Sequence, residues 1–291
     1  MRKIKIVLTG QSNVGKSSMM NYLCNSYVSS VSKKPQTTRA NIHTSAINDN
    51  VDFSIYDTPG VSVFDKSLLS VLMKKSFLHP LDKVDVLVIV IEAGKKMSDI
   101  DKSIIESAEM MKKRVIIVIN KIDLLTKNNL TNMTNSLTKS LHHPVFLVSI
   151  KTESGLTKLV DYIKALAKDS NDENSTRKKQ QIDNIFVQEI IRGAINDLTY
   201  GEVPYDCAVI ADKIIENNKL IKIYGSIYVE KANQKKIVIG ESGNNIKQIG
   251  TKARHQLEEI FSKKIFLDLT VKIKKNWKND YNFLKNLGYI S

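Results

Sequence analysis

The stretch Gly10-Gln11-Ser12-Asn13-Val14-Gly15-Lys16-Ser17 restricts this chain more than any other. It has Gly, four residues, then Gly-Lys-Ser, the P-loop pattern. The apolar run Ile4 to Leu8 before it reads as a strand, and Ser17 to Cys24 after it reads as the start of a helix. Glycines let the backbone curl so that successive N–H groups face a polyphosphate, and a helix N-terminus adds partial positive charge. Lys16 is placed to reach the β- and γ-phosphates. The Ser17 hydroxyl is placed to sit on Mg²⁺, with Gly10, Val14, Gly15 and Ser18 completing the cradle.

The rest of the first half repeats one theme, an apolar strand ending in polar chemistry. Ile42 to Ile47 and Val51 to Tyr56, joined at Asn48-Asp49-Asn50, read as a hairpin. The second of these strands ends in Asp57-Thr58-Pro59-Gly60. Asp57 is the expected second anchor for Mg²⁺, and Gly60 can bring its N–H to a γ-phosphate. Asp65 to Phe77 is amphipathic. Val84 to Ile91 is almost continuously apolar, as a parallel strand covered on both faces requires. Val115 to Ile119 leads into Asn120-Lys121-Ile122-Asp123. Asp123 can accept from the ring N–H and exocyclic amine of guanine, whereas adenine would leave it unpaired; such sites discriminate by ~10⁴ or more. Lys121 can lie along the base. Val145 to Val148 ends in Ser149-Ile150-Lys151, whose backbone can close over it. Alternating strands and helices imply a doubly wound, mostly parallel sheet.

Four sites at strand ends in this order resemble a translation-factor-type GTPase domain. That resemblance implies that Thr38, in the polar stretch Asn25 to Asn41, ligates Mg²⁺ and meets the γ-phosphate, with Thr37 the second choice. It also implies that Asn13 helps hold a K⁺ near the phosphates. Val61 follows Gly60 where a Gln could have oriented the attacking water, so unaided hydrolysis is expected to be slow.

The polar stretch Lys168 to Gln181 has no apolar side chain and reads as a boundary. The expected division is a GTPase domain over 1–168, a linker over 169–181 and a second domain over 182–291. In the second domain Ile182 to Leu198 has helical spacing, Val203-Pro204-Tyr205 opens a strand through Ile210, and Lys219 to Val229 forms another. Gly240-Glu241-Ser242-Gly243-Asn244 then carries the Gly-x-x-Gly turn of a KH domain, which clamps about four nucleotides of single-stranded RNA. A helix to Phe261 and a strand from Ile265 to Ile273 follow. The KH assignment puts Ile239, Ile246 and Ile249 along a base groove and Lys247 near phosphates. Lys272, Lys274, Lys275 and Lys278 add charge around Trp277, which is either a stacking ring or a core residue.

A GTPase domain followed by an α+β KH domain of type II resembles the Era family of ribosome-associated GTPases. Val203-Pro204-Tyr205, Ala253-Arg254 and Leu287-Gly288-Tyr289 share the likeness. The resemblance implies GTP and GDP as ligands, Mg²⁺ and K⁺ as ions, and GTP hydrolysis. It further implies binding to the 3′ end of 16S rRNA during assembly of the 30S subunit. A cytoplasmic monomer is expected, and peripheral contact of the basic surface with the inner membrane face is a competing reading. The chain departs from that family's pattern at Gln11-Ser12, at Ala40-Asn41, at Ile150 and at Glu241-Ser242, where a carboxylate faces the expected RNA backbone. The alternative is an RNA-binding scaffold that holds GTP or GDP with negligible hydrolysis.

Charge fits a polyanionic partner. The net charge is +14, and residues 231–291 alone hold 13 Lys and Arg against 5 Asp and Glu. A DNA partner is not expected. Cys24 and Cys207 are far apart and read as buried thiols, and the five histidines show no ligand spacing. The start runs directly into the first strand, so no leader is expected, and no apolar run reaches 18 residues.

Overall fold

The computed structural model describes residues 1–25, 42–58, 67–69, 84–140, 142–169 and 183–289. The expected roles of Thr37, Thr38, Gly60 and Val61, and most of the amphipathic stretch 65–77, lie outside these residues. The chain forms two compact units.

The first unit is a sheet with helices. Its strands are β1 (Arg2–Thr9), β2 (Ile42–Asn48), β3 (Val51–Asp57), β4 (Val86–Glu92), β5 (Arg114–Asn120), β6 (Val145–Leu147) and β7 (Lys168–Asp169). They run in the order β2-β3-β1-β4-β5-β6, with β7 antiparallel to the start of β1. The β3-β1-β4-β5-β6 stretch is parallel, and β2 is antiparallel to β3. The reason is visible in β4, where Val86 to Ile91 are all buried, as a strand covered on both faces must be. β3 instead alternates buried Val51, Phe53, Ile55 and Asp57 with half-buried residues. The helices are α1 (Lys16–Leu23), α2 (Asp99–Met110), α3 (Lys127–Ser140) and α4 (Leu156–Ala165). α2 starts on a reciprocal cap: Ser98 Oγ accepts from the Asp101 N–H, and Asp101 Oδ2 accepts from the Ser98 N–H. β7 corrects the sequence reading in one detail, because Lys168 and Asp169 join the sheet rather than opening the polar stretch.

The second unit contains α5 (Asn184–Leu198), α6 (Val203–Asp206), β8 (Ala208–Glu216), β9 (Leu220–Val229), α7 (Ala232–Ile239), α8 (Asn244–Phe261), β10 (Lys264–Ile273) and α9 (Tyr281–Asn286). Its sheet order is β10-β9-β8, with β10 parallel and β8 antiparallel to β9. α5 is buried from Val187 to Asn196. It carries a buried ion pair in which Arg192 Nη2 lies 2.5 Å from Glu189 Oε2 and Nε 3.1 Å from Oε1. α8 presents Ile249, Ala253 and Leu257 to the core at helical spacing. Leu69 groups with this unit, in a cluster with Trp277, Phe283, Leu284 and Leu287.

Two sequence expectations change here, and one open alternative is decided. Val203-Pro204-Tyr205 is a helical turn, not a strand: Pro204 sits in its first turn, where a missing N–H costs nothing. The strand begins at Ala208. Trp277 is fully buried and its Nε1 donates to the Asp206 carbonyl at 3.1 Å, so it is a core residue and not a stacking surface. Ile249 is buried on the core face of α8 and does not line a groove.

Candidate functional site

The first candidate site is assembled from the C-terminal ends of parallel strands, where open α/β sheets bind ligands. The turn after β1 needs its glycines. Gly10 has φ 136° and a Cβ there would lie 2.2 Å from the Val90 carbonyl oxygen; Gly15 has φ 104° and a Cβ would lie 2.2 Å from Asn120 Nδ2. Asn13, also at positive φ, is exposed at the tip of the loop, and Val14 is buried beneath it.

Lys16 is buried, and its ammonium donates to the Gly10 carbonyl (3.1 Å) and the Gln11 carbonyl (2.9 Å). Burial lowers its pKa to about 8, against the opposing pull of Asp57 and Asp101. Ser17 Oγ donates to Asp57 Oδ2 at 2.7 Å, so α1 and the end of β3 meet where the sequence places Mg²⁺. A hydroxyl beside a carboxylate, both oxygen donors, suits a hard divalent cation. Thr58 Oγ1 donates to the Leu8 carbonyl (2.8 Å) and fastens the end of β3 to β1.

The base-reading side is equally tied. Asn120 Nδ2 donates to the Val14 carbonyl (2.8 Å), and its Oδ1 accepts from the Ile150 N–H (3.2 Å). One amide therefore joins the P-loop to the loop Ser149-Ile150-Lys151. Asn120, expected at the nucleotide, thus also holds these two loops in place. Ser149 Oγ donates to Asp123 Oδ1 at 2.6 Å and aims that carboxylate. Lys121, at φ 64°, extends to Glu92, 2.7 Å away. Hydrogen bonds from Lys121 and Lys95 outweigh burial and hold the Glu92 carboxyl below the usual carboxylate range. Sequence reasoning missed Glu92. Its signal was an acid ending β4 in register with Asn120 at the end of β5.

The second candidate site lies between α8 and the edge strand β10. The turn before α8 carries Gly240 at φ 74°, Ser242 at φ 51° and Gly243 at φ 79°. A Cβ on Gly240 would lie 2.8 Å from Asn245. Glu241, Ser242 and Asn244 are exposed there. Beyond the turn is a cleft of about 410 Å³ lined by Ile246, Lys247, Thr251, Arg254, Leu267 and Leu269. Ile246 and Lys247 were expected in this place. Thr251 and the two leucines were not, although they follow from helical spacing after Lys247 and from alternation along β10. Of the basic tail, Lys274 is paired with Asp280 at 2.7 Å, Lys272 lies over the Tyr228 ring at 5.7 Å, and Lys275 is exposed.

Comparison with known proteins finds matches to both units. Residues 5–121 match the family model described as a 50S ribosome-binding GTPase, and residues 202–278 match the KH domain. GTPase Era of Syntrophus aciditrophicus is 35% identical over 98% of this chain and 94% of its own length. GTPase Era of Lactobacillus helveticus is 35% identical over 98% and 95%. A crystal structure of an Aquifex aeolicus Era variant bound to GDP and AlF4⁻ superposes with TM-score 0.91 at 28% identity, covering all of both chains. Era in complex with MgGDPNP and nucleotides 1506–1542 of 16S ribosomal RNA gives TM-score 0.90 at 28% identity, again over all of both chains. With a P-loop site and a KH cleft in one chain, and relatives matched over nearly its whole length, this protein belongs to the GTPase Era family.

Proposed function

We propose that this chain is a Mg²⁺-dependent GTPase that binds the 3′ end of 16S rRNA through its KH unit and assists assembly of the 30S subunit. The observation that carries the proposal is the Ser17–Asp57 pair beside buried Lys16, under a glycine cradle that no Cβ could share. Ser17 and Asp57 would hold Mg²⁺ with Thr38, and the ion supplies charge neutralisation on the phosphates when bound. Lys16 leaves its carbonyl partners to meet the β- and γ-phosphates. Asp123, aimed by Ser149, reads guanine. Gly60 and Thr38 meet the γ-phosphate, and water is the nucleophile. Asn13, exposed on the loop, takes the K⁺ role. Catalysis is then positioning and electrostatics rather than covalent chemistry.

In the KH unit, Lys247 and Arg254 face phosphates while Ile246, Leu267 and Leu269 face bases. Domain limits of 1–168 and 182–291 suit this division of labour. We place the protein in the cytoplasm as a monomer. No helix among the described residues is long and apolar enough to cross a membrane. Peripheral membrane contact would require binding to anionic vesicles, which flotation measures.

The test is titration of a labelled 16S 3′-terminal RNA with the protein carrying a non-hydrolysable GTP analogue, then GDP. A scrambled RNA at the same salt is the control. Sequence-selective binding in the GTP-like state is expected, and equal weak binding to both RNAs would overturn it. A second reading, a scaffold with negligible hydrolysis, is favoured by Val61 in place of a Gln. K⁺-stimulated turnover that vanishes in Lys16→Ala would exclude it.

A further inference from the structure

β4 lies between β1, which leads into the P-loop, and β5, which leads into Asn120-Lys121-Ile122-Asp123. It ends on Glu92. β4 and β5 are parallel with Glu92 as the register partner of Asn120, so both side chains rise from one face of the sheet. The backbone around Glu92 is fixed. The Ala93 N–H donates to the Asn120 carbonyl at 2.8 Å, and the Lys95 N–H donates back to the Glu92 carbonyl at 3.0 Å. Lys121 leaves β5 at φ 64°, and its ammonium donates to Glu92 Oε2 at 2.7 Å. The Lys95 ammonium lies 3.1 Å from the same oxygen.

The three side chains differ in shielding: Glu92 is 15% exposed, Lys121 34% and Lys95 52%. Lys95 is therefore the solvated member, and the Glu92–Lys121 bond is the sheltered one, where a charge-assisted hydrogen bond is screened less. The nearby P-loop carbonyls of Gly10 and Gln11 are taken by Lys16. Glu92 is the acceptor that the Lys121 ammonium has among the described residues. A lysine stem is long and flexible, and ordering it costs rotamer freedom. Ordered only when a nucleotide arrives, the stem would take that cost out of binding. Tied at its end beforehand, it is ordered when the chain folds.

We propose that Glu92 is a positioning residue for the nucleotide: it pins the Lys121 ammonium so that the lysine stem already lies where the guanine ring stacks. It acts through Lys121, at the base end of the site, and so lengthens the residence of GTP and GDP alike. The proposal rests on the base-side role given to Lys121 above.

The experiment follows release of a fluorescent GDP, and of the matching non-hydrolysable GTP analogue, from the full-length protein after a chase with unlabelled GDP. Glu92→Ala is expected to speed release of both by about threefold to tenfold, with association unchanged. Glu92→Gln keeps the shape and a neutral acceptor, and should give a smaller change in the same direction. In a Lys121→Ala background, Glu92→Ala should add nothing, which a merely structural role would not produce. Lys95→Ala removes a neighbour of the same oxygen and should leave release at the wild-type rate. Unchanged release in Glu92→Ala, additive effects in the double variant, or a change confined to the GTP analogue would overturn the proposal. So would equal acceleration by Lys95→Ala, which would point to local charge rather than to the lysine stem. Lys121→Ala separates the two readings. If it speeds release and Glu92→Ala does not, only the positioning role fails; if it leaves release unchanged, the base-side reading of Lys121 fails.

Discussion

At the nucleotide site, the side chains that matter are already bonded within the protein before any ligand arrives. Lys16 rests on two carbonyls, Ser17 on Asp57, Asn120 on Val14 and Ile150, Asp123 on Ser149 and Lys121 on Glu92. In the cleft of the KH unit, Lys247 and Arg254 make no ion pair among the described residues. One site is preorganised and pays its desolvation when the chain folds. The other is a solvated, mostly electrostatic surface that orders its side chains on contact. Removing a residue from the first should have large and selective effects, and removing one from the second small and salt-dependent effects.

The largest effect is expected at Asp123. Asp123→Asn loses the acceptor pair for guanine, and GDP affinity should drop ~10²–10⁴-fold without a matching loss of phosphate contacts, read by competition between GDP and ADP. Retained GDP preference would break the claim that Ser149 aims Asp123 at a base.

The next largest tests the scaffold of the second unit. Glu189→Ala leaves the Arg192 charge buried without its partner, at a cost of about 3–5 kcal/mol. Chemical unfolding should show an early transition for the KH unit, with GDP binding intact. Two units need not unfold as one transition, so each is followed by its own probe.

A smaller effect is expected in the cleft. Arg254→Ala should weaken RNA binding by roughly threefold to tenfold and reduce the slope of log affinity against log salt by about 1. A large loss without a change in salt slope would mean that Arg254 is preorganised like the nucleotide residues, and the contrast would fail.

The smallest is a proton. Free Lys16 titrates at about 8, and a polyphosphate restores the charged form. Nucleotide binding at pH 8 should therefore take up about half a proton, seen as a buffer-dependent enthalpy, and Lys16→Ala should abolish the uptake. Affinity should decline as pH rises through 8. For the nucleotide-free protein the sign is opposite. The folded pKa lies below the usual 10.5, so this group makes the fold more stable as pH rises between about 8 and 10.5.

The same contrast explains what was legible. Gly10, Gly15, Lys16, Ser17, Asp57, Asn120, Asp123 and Ser149 could be read in advance because each answers a local demand at fixed spacing from a strand end. Glu92 could not, since its partner Lys121 is distant in sequence and only the β4–β5 register brings them together. In the second unit the Gly-x-x-Gly turn was readable. The tail around Trp277 was not: an aromatic among lysines suits stacking or a core equally well. The indole chose the core because its N–H could reach the Asp206 carbonyl, and Lys274 and Lys278 found Asp280 and Asp206 nearby. Val203-Pro204-Tyr205 misled for a related reason, since Pro is compatible with a strand start and with a first helical turn.

From the residues alone came the alternating strands and helices, the phosphate cradle, the base-reading pair and the RNA-clamping turn, because backbone sterics and hydrogen-bond chemistry act over a few residues. Tertiary structure decided which side chains are tied down before ligand arrives, that Lys274 pairs with Asp280, and that the rings of Phe266 and Tyr224 lie side by side. Those outcomes depend on which strands lie side by side and in what register, and register is set by the packing of the whole sheet rather than by any short segment.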